Sequence, residues 1–178
     1  MNINMKKKLI VTSLLAASVF ASAANAATIN ITGTIAAAPC QIKTTAATGS
    51  VTMPPIYNSQ LGKVKAGEVI PNSDAQIKIE LESCPVIVGT SNAVVTFTGA
   101  GTGDTFSLGS VVKGVALKVY DKADKEVKAT SGTAKSTNNP ITANATQTLE
   151  YKLKYVKTAD TFKEGAVDTT LTFDVAYN

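Results

Sequence analysis

The chain has 178 residues, 17 Lys+Arg against 13 Asp+Glu, and no His; every one of its cations is Lys. Without His the usual general base, the Ser-His-Asp triad and imidazole metal ligands are missing, and without Arg no side chain can grip a phosphate bidentately. These gaps argue against the commonest catalytic, metal-binding and nucleotide-binding designs, and no paired-carboxylate or nucleophile signature replaces them.

At the start, Lys6, Lys7 and Lys8 precede an apolar run from Leu9 to Ala21 and then the small-residue box Ala24-Asn25-Ala26. This order predicts a secretory signal over residues 1–26, cut between Ala26 and Ala27, with a cut before Ala24 as the alternative; the apolar run is too short to span a bilayer. Processing leaves 152 residues (178 − 26), enough for one domain with its own core. It also leaves 14 Lys against 13 acids (17 − 3 signal lysines), a net charge of about +1. Nucleic acid and anionic membranes therefore lose their electrostatic argument as partners.

Residues 28–35, "TINITGTI", alternate as a strand does and run directly into Cys40. Near Leu61, "IYNSQLGK" predicts one short helical turn. Further strands are expected at about 75–84, 92–98, 114–121, 147–156 and 166–177, each with apolar residues on one face and polar residues on the other. Turn-forming clusters lie at 98–105 and 130–140. Cys40 and Cys84 are the two cysteines, and export into an oxidising space predicts a disulfide between them.

The pattern predicts an all-β, immunoglobulin-like sandwich. From Ile35 onward, however, only six long strands can be counted where such a sandwich usually needs seven. Residues 28–43 would make a first strand of about 16 residues, far beyond the usual five or six, so its front half should project or bend at Gly33. The last strand, running to the end of the chain, should leave an open apolar edge. The chain thus carries one strand too many at its start and one too few at its end.

These residues resemble the chaperone–usher fimbrial subunits, the type 1-like pilins. The resemblance rests on the exported strand with Gly33-Thr34-Ile35 leading to Cys40 and on "LGKV" at 61–64. It rests also on Cys84 closing the next long strand and on the C-terminal alternating strand with penultimate Tyr177. It covers essentially the whole mature chain, with Pro39 as a minor departure, and no N-terminal lectin domain is present. The resemblance implies a six-strand domain (35–178) preceded by a donor-strand extension (27–34). The partners it implies are a periplasmic chaperone, identical or related pilin subunits and an outer-membrane usher. Cell adhesion is the role it implies, at the cell surface, with no cofactor or metal. It gives no fimbrial type and no host receptor.

On this reading Ile29, Ile31, Gly33 and Ile35 share the face that enters a neighbour's groove. Leu171, Phe173 and Val175 line the acceptor groove, and Tyr177 joins them or docks onto the chaperone.

The rival readings are weaker on residues. In "DKADKE" the carboxylates of Asp121, Asp124 and Glu126 are interleaved with Lys122 and Lys125, which predicts a solvated turn over a Ca²⁺ loop. "GAGTG" at 99–103 opens no helix, so it reads as a loop and not as a phosphate cradle. A secreted carbohydrate-binding sandwich is the alternative function. It would need an aromatic platform, for which only Tyr57 and Tyr120 are candidates in a chain without Trp.

Overall fold

A computed structural model describes residues 40–43, 50–84 and 91–178. The expected signal, the cleavage point at Ala26 and Ala27, and the extension residues Ile29, Ile31, Gly33 and Ile35 lie outside the described residues.

The expected strands at 75–84, 92–98, 114–121, 147–156 and 166–177 appear as β2 (Val69–Glu82), β3 (Ser91–Gly99), β6 (Val115–Asp121), β11 (Gln147–Lys157) and β12 (Leu171–Tyr177). Of the expected first strand, β1 (Gln41–Ile42) is described. The short helix is α1 (Asn58–Leu61), where the side chain of Gln60 accepts from the Tyr57 N–H at 2.7 Å. Six short strands complete the set: β4 (Gly101–Thr102), β5 (Thr105–Phe106), β7 (Glu126–Val127), β8 (Ala129–Thr130), β9 (Thr133–Lys135) and β10 (Asn139–Ile141).

These form two sheets with antiparallel pairing. The first has the order β1-β2-β11-β6-β5-β4, with β7 also on β6; the second has the order β10-β3-β9-β8, with β12 on the other side of β3. The backbone of β11 pairs with β2 from Gln147↔Leu81 to Val156↔Val69, and with β6 from Tyr151↔Asp121 to Lys157↔Val115. The alternation in sequence becomes burial: Leu149, Tyr151, Leu153 and Tyr155 of β11 and Ile79 and Leu81 of β2 are in the core. Across the sheets, Phe97 and Tyr151 meet edge to face with centroids 4.9 Å apart, a geometry aromatic quadrupoles favour. The amide of Asn139 donates to Ala93 O at 3.0 Å and to Tyr151 Oη at 3.2 Å, so the phenol is satisfied inside the core.

Several boundaries differ from the expectation for identifiable reasons. The second strand begins at Val69, six residues early, because the chain bulges near Asn72 (φ 56°) and resumes the same ladder. At the bulge the Ser73 hydroxyl accepts from Tyr155 N at 3.1 Å, satisfying a backbone donor that the ladder leaves over. The last strand begins at Leu171 instead of 166, because its partner β3 ends at Gly99, opposite Leu171; Val167 is left in a loop, 43% exposed. The cluster 130–140 is not all turn, since it holds β9, which caps the middle of β3, and the start of β10.

Cys40 and Cys84 form the expected disulfide. Closing a loop of about 45 residues stabilises a fold by roughly 4 kcal/mol in the chain-entropy account. On the outer face of β6, Lys118 is 8% exposed, its ammonium held by Asp104 at 2.6 Å and Glu126 at 3.0 Å. Burial opposes its charge, but the hydrogen bonds to the two carboxylates outweigh it and raise its pKa. Asp104 sits at the tip of the β4–β5 hairpin, so this ion pair ties the hairpin to β6.

Candidate functional site

The site is a cleft along one side of the sandwich, built from backbone edges more than from chemistry-bearing side chains. β12 pairs with β3 through seven residues, Leu171↔Gly99 to Tyr177↔Ala93, and its other edge has no ladder partner among the described residues. Opposite lies Ser50–Ile56, a segment outside any helix or strand that makes no backbone–backbone hydrogen bond among the described residues. Between these two rails and Gln76–Lys78 of β2 opens a cleft of about 600 Å³, at whose base lie Phe97, Leu117 and Leu153. A second cavity of about 540 Å³ shares Val51, Met53, Leu108 and Val167 with the first and continues it to Tyr155 and Phe162.

The lining is apolar because strands from both sheets turn the same alternating faces inward. Leu171, Phe173, Val175 and Tyr177 are half-buried against the core, whereas Thr172, Asp174 and Ala176 face out. Ile77 is half-buried while Ile79 and Leu81 on the same face of β2 are fully covered, since Ile77 borders the cleft. A sheet edge with an apolar face is an invitation to another strand.

At the end of β12 the Tyr177 phenol donates to Cys40 O at 3.3 Å and so joins β12 to the beginning of β1. Burial, with the Asp174 carboxylate nearby, pushes that phenol's pKa up, keeping it a neutral donor. Asn178 continues the ladder, exchanging hydrogen bonds with Asn92 at 2.8 and 3.1 Å. Phe162, which lines the second cavity, lies close to Gly114 (φ 79°), where a Cβ would fall 2.7 Å from Phe162 Cα. Only glycine lets the two chains approach so closely.

Of the four residues named from sequence, Leu171 and Phe173 line the cleft, while Val175 and Tyr177 lie on the same face of β12 beyond its lining. Sequence reasoning missed the opposite rail, Ser50–Ile56, and the floor residues Ile77, Phe97, Leu117 and Leu153. The floor could be read only as generic core. A signal for the rail existed in Pro54-Pro55, which have no N–H for a ladder and mark where strand pairing must stop.

The alternative chemistries find other uses for their residues. Asp121 accepts from Ala123 N and Lys125 N, both at 2.9 Å, and Asp124 pairs with Lys152 and Lys154. The Lys154 ammonium lies 5.0 Å over the Tyr120 ring, occupying the face a sugar would need.

A two-sheet sandwich whose last strand keeps a bare edge over an apolar cleft defines a class, that of immunoglobulin-like domains open to an added strand. The family model described as fimbrial protein matches residues 29–178, and the chain belongs to that family. It is 33% identical to long polar fimbria protein A of Salmonella typhimurium strain LT2, with 97% of each chain covered. Its fold is similar to the P pilus rod subunit PapA (TM-score 0.63, 22% identity, 79% of this chain and all of that one). It is similar also to a subunit of a chaperone–usher pilus studied for rod uncoiling (TM-score 0.62, 22% identity, 87% and 97%). The protein is a structural subunit of a fimbria, exported to the cell surface and assembled with other pilin subunits.

Proposed function

We propose that this subunit polymerises head-to-tail by donor-strand exchange, the extension at 27–34 of one copy completing the domain at 35–178 of the next. Strand addition to a pilin is a known mode of recognition; what is assigned here is the part each residue plays. The observation that carries the reading is the unpaired edge of β12 facing the unpaired rail Ser50–Ile56 across an apolar floor.

Ile29–Ile35 and β12 are both seven residues long. Laid antiparallel, like every other ladder of the described structure, Ile29 falls opposite Tyr177, Ile31 opposite Val175, Gly33 opposite Phe173 and Ile35 opposite Leu171. All eight then face the core together. Gly33 meets the Phe173 ring, which lines the cleft, and this is a physical reason for having no side chain there. Burying three Ile side chains contributes roughly 1.5–3 kcal/mol each before ordering costs. On the second rail, ladder bonds stop at Met53, because Pro54 and Pro55 have no N–H.

Because donor and acceptor are different surfaces of one molecule, the contact is heterologous and yields an open filament. Before assembly the cleft would be an aggregation hazard, which calls for a periplasmic chaperone to lend a strand, with the end of β12 near Tyr177 as its docking point, and for an outer-membrane usher to exchange it. Catalysis has no place in this scheme.

The test deletes the N-terminal extension and fuses residues 27–35 after Asn178 through a short flexible linker. The expected product is a soluble monomer, much more stable to heat than the chain without a donor and unable to polymerise. Equal stability of the two would refute the reading.

A further inference from the structure

We infer that the outer face of the second sheet docks on the same face of a second copy of this chain in a neighbouring filament. The two-fold axis of that contact runs along β3 and sets Asp174 of each copy against Lys135 of the other. The inference rests on the head-to-tail reading and extends it from the single filament to contacts between filaments.

The two outer faces of the sandwich use their charges differently. On the first sheet, lysines meet carboxylates within the chain: Lys43 with Glu80, Lys78 with Glu150, and Lys118 with Asp104 and Glu126. On the second, the outward residues of β8, β9, β3 and β12 hold one cation and one anion, Lys135 and Asp174. Both are exposed and in no ion pair among the described residues. They stand opposite Thr96, one on each side, two strand spacings or roughly 9–10 Å apart. Beside them runs an uncharged row in which Thr130, Thr133, Thr98 and Thr172, all exposed, are successive cross-strand partners. On the donor register proposed above, Thr34 of the bound extension falls opposite Thr172 and completes a row centred on Thr98.

The occupant follows from the placement of these charges. A two-fold along the middle strand exchanges the two sides of the face, laying β12 of one copy over β9 of the other. Asp174 then meets Lys135 twice, Thr172 meets Thr133 twice, and Thr98 meets its own counterpart. A self-matching contact needs groups that pair with themselves, and a hydroxyl does so, being donor and acceptor at once. Thr172 already donates to Thr98 O at 3.1 Å and keeps its lone pairs for accepting. Copies within one filament are related by a polar head-to-tail step and never by a two-fold, so the partner belongs to another filament. A face of about five strands by five residues covers roughly 300–400 Å² per copy, against about 800 Å² a side for a standard stable complex. One contact is therefore weak, and repetition along two filaments supplies the avidity.

The experiment shears filaments from cells and follows their bundling by electron microscopy and light scattering at low and high salt. Wild-type filaments are expected to bundle side by side at low salt and to separate as salt rises. Lys135→Asp filaments and Asp174→Lys filaments, each with like charges opposed, are expected to stay single. Mixed together, the two variants should bundle again, because one supplies the acid and the other the base at every contact. Lys135→Asp lies off β12 and tests the contact even where Asp174→Lys fails to assemble. Wild-type filaments that stay single, or Lys135→Asp filaments that bundle as the wild type does, overturn the contact and leave the head-to-tail reading intact. Failure of the wild-type chain to form filaments at all defeats that reading, and the bundling contact with it.

Discussion

Two lysines show how a single side chain can be placed against its neighbours' interest. Lys113 and Lys163 exchange backbone hydrogen bonds at 3.1 Å as a directly opposed pair, both exposed and neither in an ion pair among the described residues. Like charges directly opposite are destabilising and opposite charges are favourable, each by roughly 0.2–1 kcal/mol. Lys163→Glu in the self-complemented chain is therefore expected to raise the urea midpoint with unchanged m-value, and added salt should shrink the gain. Asp104 illustrates the converse. The hydrogen bond from Lys118 holds its carboxyl below the usual value of 3.8, against a smaller opposing effect of burial. A carboxyl whose folded pKa is depressed stabilises fully above the ordinary carboxylate range, and that contribution is lost as pH falls through the folded value. Asp104→Asn should accordingly cost stability near neutrality and progressively less below about pH 4, a convergence visible in denaturation at several pH values.

At the scale of elements, the extension and β12 are expected to behave as a matched pair. Gly33→Asn should stop fibre growth while the subunit still forms its chaperone complex, since the acceptor cleft is untouched; normal fibres would remove Gly33 from the mechanism. The register that sets Gly33 opposite Phe173 makes a sharper prediction. Gly33→Val should slow polymerisation on the wild-type cleft, and Phe173→Ala in the acceptor should restore much of that rate although it removes packing against the core on its own. Absence of any rescue in subunit-mixing kinetics would displace the register by at least one pair. The alternation of β2, β3, β6 and β11 was legible in the sequence, because one buried face imposes period two on the side chains. Strand ends were not. Whether Val167 belongs to β12 depends on where β3 stops, at Gly99, and no local pattern near Val167 carries that information.

For the molecule as a whole, the disulfide and the missing strand are separate contributions to stability. Cys40→Ser with Cys84→Ser is expected to lower the stability of the self-complemented chain by roughly 2–5 kcal/mol, measured by denaturant unfolding. The same pair of substitutions releases Cys40, whose carbonyl accepts from Tyr177, so the free end of β12 should gain amide hydrogen exchange. A Tyr177→Phe chain isolates that second effect: the disulfide stays, and increased exchange should be confined to the last residues of β12 and their partners near Asn92.

The sequence by itself determined the all-β class, the pairing of the two cysteines and the alternating final strand, because each follows from residue type and period. Only the tertiary structure decided what that strand faces. The rail Ser50–Ile56 and the floor of Ile77, Phe97, Leu117 and Leu153 come from five regions of the chain, and the floor meets because β2, β6 and β11 pair in one sheet while β3 and β12 pair in the other. A cleft between sheets is a property of how ladders are ordered, and no single stretch of sequence contains that order.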